Sequence, residues 1–486
     1  MRFVRQCSGL FAIIFVLAMA GGAGANPPNI VLIMSDDQGW GDAGYMGHPD
    51  AITPALDEMA EQGLVFHRFY AAAPVCSPTR ASVLTGRHPF RQGIWHANAG
   101  QLRADAPNLA RLLKERGYRT GHFGKWHLGT LTTEVEDSNR GRPGDETHYA
   151  PPWERHFDVA FSTEAKVPTY DPLIRPLDFD EHPGNLQRWW DPVEDPDDAI
   201  HYGTHYWNER GEKVTENMDG PNARVVMDRV LQFVDESVER EAPFFAVVWF
   251  HEPHLPVVAG EKYREPFAHL DPYHQHYWGC LKAMDEQIGR LRGRLRELNV
   301  AEDTMIWYTS DNGPEGDSTH PGSAGALRGR KRDLYEGGVR VPGIVEWPGR
   351  IAPGKTHFPA VTSDYLPTIA ALLEIDLEGE PELDGVSLMP VLFEDREIQR
   401  KQSIGFLFFG RIAMIGQRYK AISAHGGPNA RSWPDPEDWT LELYDLVNDP
   451  AEQEDLAEQR PAILEEKEQV MRDWLEAVRA DYAESH

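Results

Sequence analysis

Five short polar clusters hold the residues of this chain that could do chemistry. Asp36-Asp37, Lys125-Trp126-His127, His251-Glu252-Pro253-His254 and Asp311-Asn312-Gly313 each sit at the end of a strand-like run, and Cys76-Ser77-Pro78-Thr79-Arg80 opens a helix-like one. Asp36, Asp37, Asp311 and Asn312 are hard oxygen donors, a set suited to Ca²⁺ or Mg²⁺ rather than Zn²⁺. Singly, an Asp-Asp pair reads as a cap or loop and Asp-Asn-Gly as a turn; together, at strand ends, they favour a metal. Pro78 is expected at the first helical position. The N–H groups of that helix start, with the permanently charged Arg80, would face an anion. Cys76 alone reads as a buried structural cysteine or as a thiolate nucleophile. Lys125 and His127, two residues apart, point the same way if the chain there is extended. The run Arg328-Gly329-Arg330-Lys331-Arg332, alone, reads as a solvated loop.

These clusters need a scaffold that brings strand ends together. Residues 29–34 read N-I-V-L-I-M, a continuous apolar run suited to a strand buried on both faces of a parallel sheet. A helix is expected over 53–63, with Thr53 as N-cap, Pro54 at its first position and Gly63 ending it. The pattern continues with a strand over 64–70, a helix over 107–117, a strand over 118–123, a helix over 221–240, a strand over 244–250, a helix over 273–298 and a strand over 304–309. That alternation predicts an α/β fold with a largely parallel sheet. Ligands of such sheets sit beyond the carboxyl ends of the strands, so one site at one edge is expected.

Residues 131–220, rich in Pro, Asp, Trp and His, interrupt the rhythm and are read as an insertion over one end of the sheet. Trp189, Trp190 and Trp207 are expected to close that insertion's own small core, with stacking on sugar faces as the other use of such rings. A boundary near 394–402 precedes short strands over 403–409, 411–415 and 419–423 and a closing amphipathic helix over 463–482. The expected division is a signal peptide over 1–25, a catalytic domain over 26–395 and a small C-terminal α+β domain over 396–486. Arg2 and Arg5 precede an apolar run over 10–20 and the Ala23-Gly24-Ala25 cleavage pattern of an exported protein. No later run is long and apolar enough to span a membrane.

A formal charge of −29 argues against nucleic acid as a partner and against long-range steering of a polyanion. An anionic substrate must be held by local cations and metal. Of the three cysteines, Cys7 lies in the leader, and Cys76 with Cys280 make no disulfide framework. Cys280 is expected as a small buried hydrophobe inside a helix.

The pentapeptide at Cys76 resembles the C-x-P-x-R signature of type I sulfatases, in which the cysteine becomes formylglycine. Gly124-Lys125-Trp126-His127-Leu128-Gly129 resembles the family's G-K-W-H-L-G block. Lys331 before Leu334-Tyr335-Glu336-Gly337-Gly338-Val339-Arg340-Val341-Pro342 resembles its lysine followed by Y-E-G-G-x-R-V-P, with Arg330 where Gly is usual. His251-Glu252-Pro253-His254 is similar to H-x-P-H, and Leu443-Tyr444-Asp445-Leu446 with Asn448-Asp449-Pro450 to the C-terminal L-Y-D-L-x-x-D-P.

The resemblance implies an alkaline-phosphatase-like fold, with a large mostly parallel mixed sheet flanked by helices and a small C-terminal domain. It implies hydrolysis of sulfate esters on an extracellular glycan by a formylglycine hydrate at position 76. One divalent cation, Ca²⁺ with Mg²⁺ as the alternative, would sit on Asp36, Asp37, residue 76, Asp311 and Asn312. Arg80 would hold the hydrate, Lys125 and Lys331 the sulfate oxygens, His251 would protonate the leaving alcohol and His127 would take the hydrate's second proton. Lys166, His205 and His254 are candidate substrate contacts. Maturation requires a formylglycine-generating enzyme, and the expected location is periplasmic or secreted. The alternatives are a phosphate or phosphonate ester hydrolase of the same superfamily and a non-catalytic periplasmic glycan-binding protein.

Overall fold

Side-chain alternation in the strand Asn29–Ser35 explains the layering. Ile30, Leu32 and Met34 enter one apolar cluster and Val31 and Ile33 another, all at most 2% exposed. Burying one such side chain contributes about 1.5–3 kcal/mol, so five in a row commit this strand to the middle of a covered sheet. The computed structural model describes residues 27–179, 188–427 and 429–485; the expected leader over 1–25 lies outside the described residues.

The large sheet runs, edge to edge, through Gly354–Thr356, Leu64–Phe66, Gly343–Glu346, Thr304–Ser310, Asn29–Ser35, Phe244–Trp249, Arg119–Lys125, Val159–Thr163, Tyr206–Asn208 and Lys213–Val214. From Thr304–Ser310 to Val159–Thr163 neighbouring strands are parallel. Antiparallel pairs follow on both flanks, and the edge strand Gly354–Thr356 runs parallel to Leu64–Phe66, giving the mostly parallel mixed sheet expected. Helices Pro54–Gln62, Asn222–Glu239 and Pro272–Glu297 pack on the face holding Val31 and Ile33. Among the described residues no helix is long and apolar enough to cross a membrane.

Several local expectations change. The strand expected over 64–70 is two strands, Leu64–Phe66 and Phe69–Tyr70, which belong to different sheets. The Thr53 hydroxyl does not cap its helix; it donates to Asp57 at 3.1 Å, and the free N–H groups of Ala55 and Leu56 donate instead to Asp285. A distant carboxylate thus supplies the cap. Helix Cys76–Thr85 starts at Cys76 itself, so Pro78 is its third residue.

Residues 131–220 are more than a cover over one end. They donate Val159–Thr163, Tyr206–Asn208 and Lys213–Val214 to the sheet, with Phe161 in register with Phe123. Burial of Ala160 and Phe161 stabilises that addition. Trp207 is 3% exposed in the main core, its indole N–H donating to Asp137 at 2.7 Å. Trp190 packs with Phe179 and Val258 in a small separate core.

Strands Ile404–Phe408, Arg411–Ile415, Tyr419–Ser423 and Leu441–Asp445 form an antiparallel sheet covered by helix Pro461–Ser485. Its buried Lys420 ammonium lies 3.2 Å from Glu336 and 2.8 Å from Glu452, which ties this sheet to the Tyr335-Glu336-Gly337-Gly338 segment.

Candidate active site

The carboxyl ends of the five parallel strands converge as the sequence requires. Asp36-Asp37 leaves Asn29–Ser35, Asp311-Asn312 leaves Thr304–Ser310, Lys125 ends its strand, His251 lies two residues past Phe244–Trp249, and Thr163 ends the next strand. Two glycines allow the close approach. A Cβ on Gly124, at φ +100°, would meet the Trp249 carbonyl at 2.0 Å, and one on Gly313 would meet the Gly337 carbonyl at 1.9 Å.

Charges interlock around Cys76. Arg80, fully buried, donates to Asp311 at 2.6 Å and to the Lys125 carbonyl at 3.0 Å and stands 3.4 Å from Asp36. Lys125 reaches Asp36 at 2.5 Å. Lys331 reaches Asp37 at 2.6 Å and Glu315 at 3.2 Å. The Asn312 amide donates to Asp37 at 2.7 Å. Burial alone would raise the Asp36 pKa, but Lys125, His254 and Arg80 outweigh it and hold that carboxyl well below its usual range. Asp311, buried and facing Asp36, is pushed up to about 7. Three carboxylates, Asp36, Asp37 and Asp311, thus face three cations, Arg80, Lys125 and Lys331, in one buried group.

Two acceptors, Asp36 Oδ1 and Asn312 Oδ1, are buried with no hydrogen-bond partner. Such orphans are costly unless a ligand meets them. Ligand atoms of Asp36, Asp37, Cys76 and His254 all lie within 4.8 Å of one another. Clustered carboxylates and orphaned oxygens fit a hard divalent cation. The Cys76 thiol is pushed up to about 12 by burial, against the pull of Lys125 and Lys331, which disfavours an unmodified thiolate as the nucleophile.

The histidines divide differently from expectation. His251 Nε2–H donates to Thr163 Oγ1 at 2.8 Å and to the Ala165 carbonyl at 3.2 Å, and its Nδ1 accepts from the Asn222 amide at 3.0 Å. The Asn222 orientation is set by Tyr206, whose hydroxyl donates to its Oδ1 at 2.5 Å. Both His251 nitrogens are thus taken, the ring is fully buried, and burial holds it neutral, far below the usual histidine pKa. It has no N–H for a leaving group. This geometry argues against the acid role expected of His251.

His254 is held differently, its pKa pushed down to about 4 by burial against the pull of Asp36. Its Nδ1–H donates to the Leu255 carbonyl at 2.6 Å, and its Nε2 stands 3.7 Å from Asp37 in the group around Cys76.

His127 does not lie in extended chain beside Lys125. Its φ is +55°, and its backbone N–H donates to the Glu164 carbonyl at 3.0 Å. Its Nε2–H donates to Asn98 Oδ1 at 3.0 Å, and its Nδ1 is buried without a partner. Burial, with Lys125 and Arg140 nearby, keeps the ring neutral. A neutral imidazole with a free Nδ1 is a base in waiting.

Lys166 and His205 line a cavity of about 580 Å³ with Arg175, His201 and Trp190. Sequence reasoning missed Asn98, Glu164, Thr163, Asn222 and Glu315. Only Glu164 left a signal, as a carboxylate directly after an apolar strand; it pairs with Arg140 at 2.8 Å, fully buried. Glu252, given no role from sequence, accepts the Ala223 N–H at 2.8 Å and the His251 N–H at 3.1 Å, so it fixes the start of helix Asn222–Glu239 and the His251 backbone.

The Sulfatase family model matches residues 28–375, and the model described as N-sulphoglucosamine sulphohydrolase, C-terminal, matches residues 329–481. Human arylsulfatase A is 32% identical over 474 residues, spanning 90% of this chain and 85% of its own length. Human N-acetylgalactosamine-6-sulfatase is 32% identical over 406 residues, spanning 78% and 69%. The crystal structure of Ps i-CgsB superposes with a TM-score of 0.75 at 26% identity, covering 93% of each chain. That protein is also known in complex with k-i-k-neocarrahexaose, at TM-score 0.73 and 25% identity, again covering 93% of each chain.

Proposed function

The chain belongs to the sulfatase family of the alkaline phosphatase superfamily and hydrolyses sulfate esters, and on that premise we propose that Cys76 acts as formylglycine beside one Ca²⁺ on a sulfated glycan. The observation that carries this is the pair of orphaned buried oxygens, Asp36 Oδ1 and Asn312 Oδ1, in a carboxylate-rich group that includes Cys76. Asp36, Asp37, Asp311 and Asn312 would hold the cation, with Mg²⁺ as the alternative. The cation supplies charge neutralisation and a polarised oxygen at residue 76. The formyl group supplies a hydrated aldehyde as nucleophile.

The chain's own residues do the rest. Arg80, pinned between Asp311 and the Lys125 carbonyl, keeps a fixed positive charge beneath residue 76. Lys125 and Lys331 face the sulfate oxygens and stabilise the charge that builds on them. His127, its Nε2–H held by Asn98, presents Nδ1 to accept a proton from residue 76. His254, its Nδ1–H held by the Leu255 carbonyl, gives a proton from Nε2 to the leaving alcohol when it is doubly protonated, a form that Asp36 and Asp37 favour against burial. His251 acts as a positioning residue, bracing the Thr163–Ala165 turn and Asn222.

The cavity beside Lys166 supports a saccharide substrate, and the leader pattern supports export to the periplasm or beyond, after maturation by a formylglycine-generating enzyme. Protein made with that enzyme should yield a Cys76 peptide about 18 Da lighter than its thiol form and release sulfate from sulfated saccharides. A fully active preparation whose Cys76 is an intact thiol would overturn the mechanism.

A further inference from the structure

The cations of this centre are not equivalent. Arg80 lies against Asp311 and Asp36, Lys125 against Asp36, and Lys331 against Asp37 and Glu315. Lys166 is the exception: among the described residues no carboxylate lies within 4.0 Å of its ammonium, and none of their atoms receives a hydrogen bond from it. It is partly buried all the same. Burial, then the positive charges of Lys125 and Lys331, press its pKa downward, against the weaker pull of the more distant Glu315. An ammonium held among like charges without a counter-ion is unfavourable unless a ligand supplies the anion.

Its backbone is firmly held. The Lys166 carbonyl accepts from Thr204 Oγ1 at 3.1 Å. The preceding Ala165 carbonyl accepts from Thr163 Oγ1 at 2.9 Å and from His251 at 3.2 Å. Glu164 is locked by Arg140 and by the Asn139 N–H. The turn thus carries Lys166 just beyond the parallel strand whose end, Thr163, braces the catalytic centre. A residue of this kind serves specificity well, because its support is rigid.

The side chain opens into the cavity of about 580 Å³ that Arg175, His201, His205 and one carboxylate, the exposed Glu136, also line. Trp190 and Phe179 form its apolar wall, their ring centroids 4.9 Å apart and nearly perpendicular. His205 Nε2 accepts from Lys213 at 3.1 Å, which adds another cation to that side. The protein as a whole carries −29, so an anion is held here by local cations and not by the general field.

We propose that Lys166, with Arg175 across the cavity, binds a second anionic group of the substrate, a carboxylate or another sulfate, next to the ester that is hydrolysed. The substrate class is then a saccharide with at least two anionic groups, not a neutral sugar bearing one sulfate. This rests on the sulfatase reading and narrows it. Lys125 and Lys331 already stand at the reacting group, which leaves Lys166 to its neighbour.

The test compares kcat/KM for sulfate release from three probes: a monosulfated methyl hexoside, the same hexoside with a second sulfate, and the monosulfated hexose linked to a uronic acid. Wild type should prefer at least one of the two dianionic probes. Lys166→Met should lower that preference about 10- to 100-fold, the scale of one charge-assisted hydrogen bond, while Lys166→Arg retains most of it. Whichever dianionic probe responds identifies sulfate or carboxylate as the partner. Equal losses on all three probes in Lys166→Met would place Lys166 on the reacting sulfate or in the scaffold and overturn the proposal. Absence of any preference in wild type would overturn it too. Failure of the underlying reading looks different: wild type would then release no sulfate from any probe, nor from nitrophenyl sulfate.

Discussion

The two turns that carry Asp36-Asp37 and Asp311-Asn312 differ in kind from the turn that carries Glu164 to Lys166. In the first pair nearly every polar atom has a partner within the chain, and the exceptions are two buried oxygens where the proposed cation would sit. In the second, the backbone is equally well held, yet Lys166 is left without a counter-ion beside a cavity. Chemistry sits where the fold over-determines geometry, because a misplaced buried charge costs several kcal/mol. Recognition sits where the fold leaves a charge for the ligand to complete. The same contrast recurs in miniature three residues apart: His251 spends both nitrogens on the scaffold, and His254 keeps Nε2 for the cleft.

The largest effect should come from emptying the over-determined side. Chelation of the matured enzyme should lower turnover at least about 10³-fold, since a cation contributes several kcal/mol to stabilising the developing charge. Ca²⁺ should restore it, as read by nitrophenyl sulfate hydrolysis. Undiminished turnover in metal-free protein would erase the distinction drawn between the two turns.

The histidine pair offers a sharper cut. His254→Ala should lose about 10²–10⁴-fold more rate on a sugar sulfate than on nitrophenyl sulfate, because a sugar alkoxide needs the proton and a nitrophenolate does not. His251→Ala should slow both substrates alike, by loosening Thr163 and Asn222. If the leaving-group dependence followed His251 instead, the reading of their hydrogen bonds would be wrong.

A smaller effect is expected at Asn98, which fixes the His127 tautomer. Asn98→Leu should lower kcat about 10- to 100-fold with little change in KM, the usual cost of losing an outer partner of an active group. Asn98→Asp keeps an acceptor for Nε2–H and should recover much of the rate. Its pH profile should move to higher pH, because a carboxylate stabilises the imidazolium form. Equal loss in both variants would mean that Asn98 only shapes the loop.

The smallest effect concerns stability. Burial would raise the Glu315 pKa, but Lys331 and Arg332 outweigh it and hold the carboxyl far below its usual range. A depressed carboxylate stabilises the fold above its unfolded pKa of about 4.5, and that stability is lost as pH falls through the folded value. Glu315→Gln should therefore lower Tm by about 2 °C at pH 7, with the gap closing steadily below about pH 4.5. A gap independent of pH would assign the loss to packing.

Much of this was legible from local pattern. Apolar runs such as 29–34 announce strands buried on both faces, and the polar pairs that follow them announce the site, since parallel strands must end on one edge. The covering of Cys280 inside helix Pro272–Glu297 was readable for the same reason. Less legible were the elements that depend on partners far along the chain. Asp285 caps a helix about 230 residues before it, and no pattern around Thr53 could reveal that. The strand Val159–Thr163 lies in a segment dense with Pro and Asp, where only pairing with Arg119–Lys125 makes it a strand.

Residue type and order by themselves determined the chemistry available here: three carboxylates and an amide for a hard cation, a cysteine before a proline and an arginine, and three lysine or arginine charges for an anion. They also determined that these would meet, because each follows an element of fixed type. Tertiary structure alone decided which of two histidines keeps a free nitrogen, which tautomer His127 holds, and which lysine of the site lacks a carboxylate partner among the described residues. Those outcomes depend on Asn98, Asn222, Thr163 and Glu315, whose distances to the groups they bind are set by packing and not by spacing along the chain.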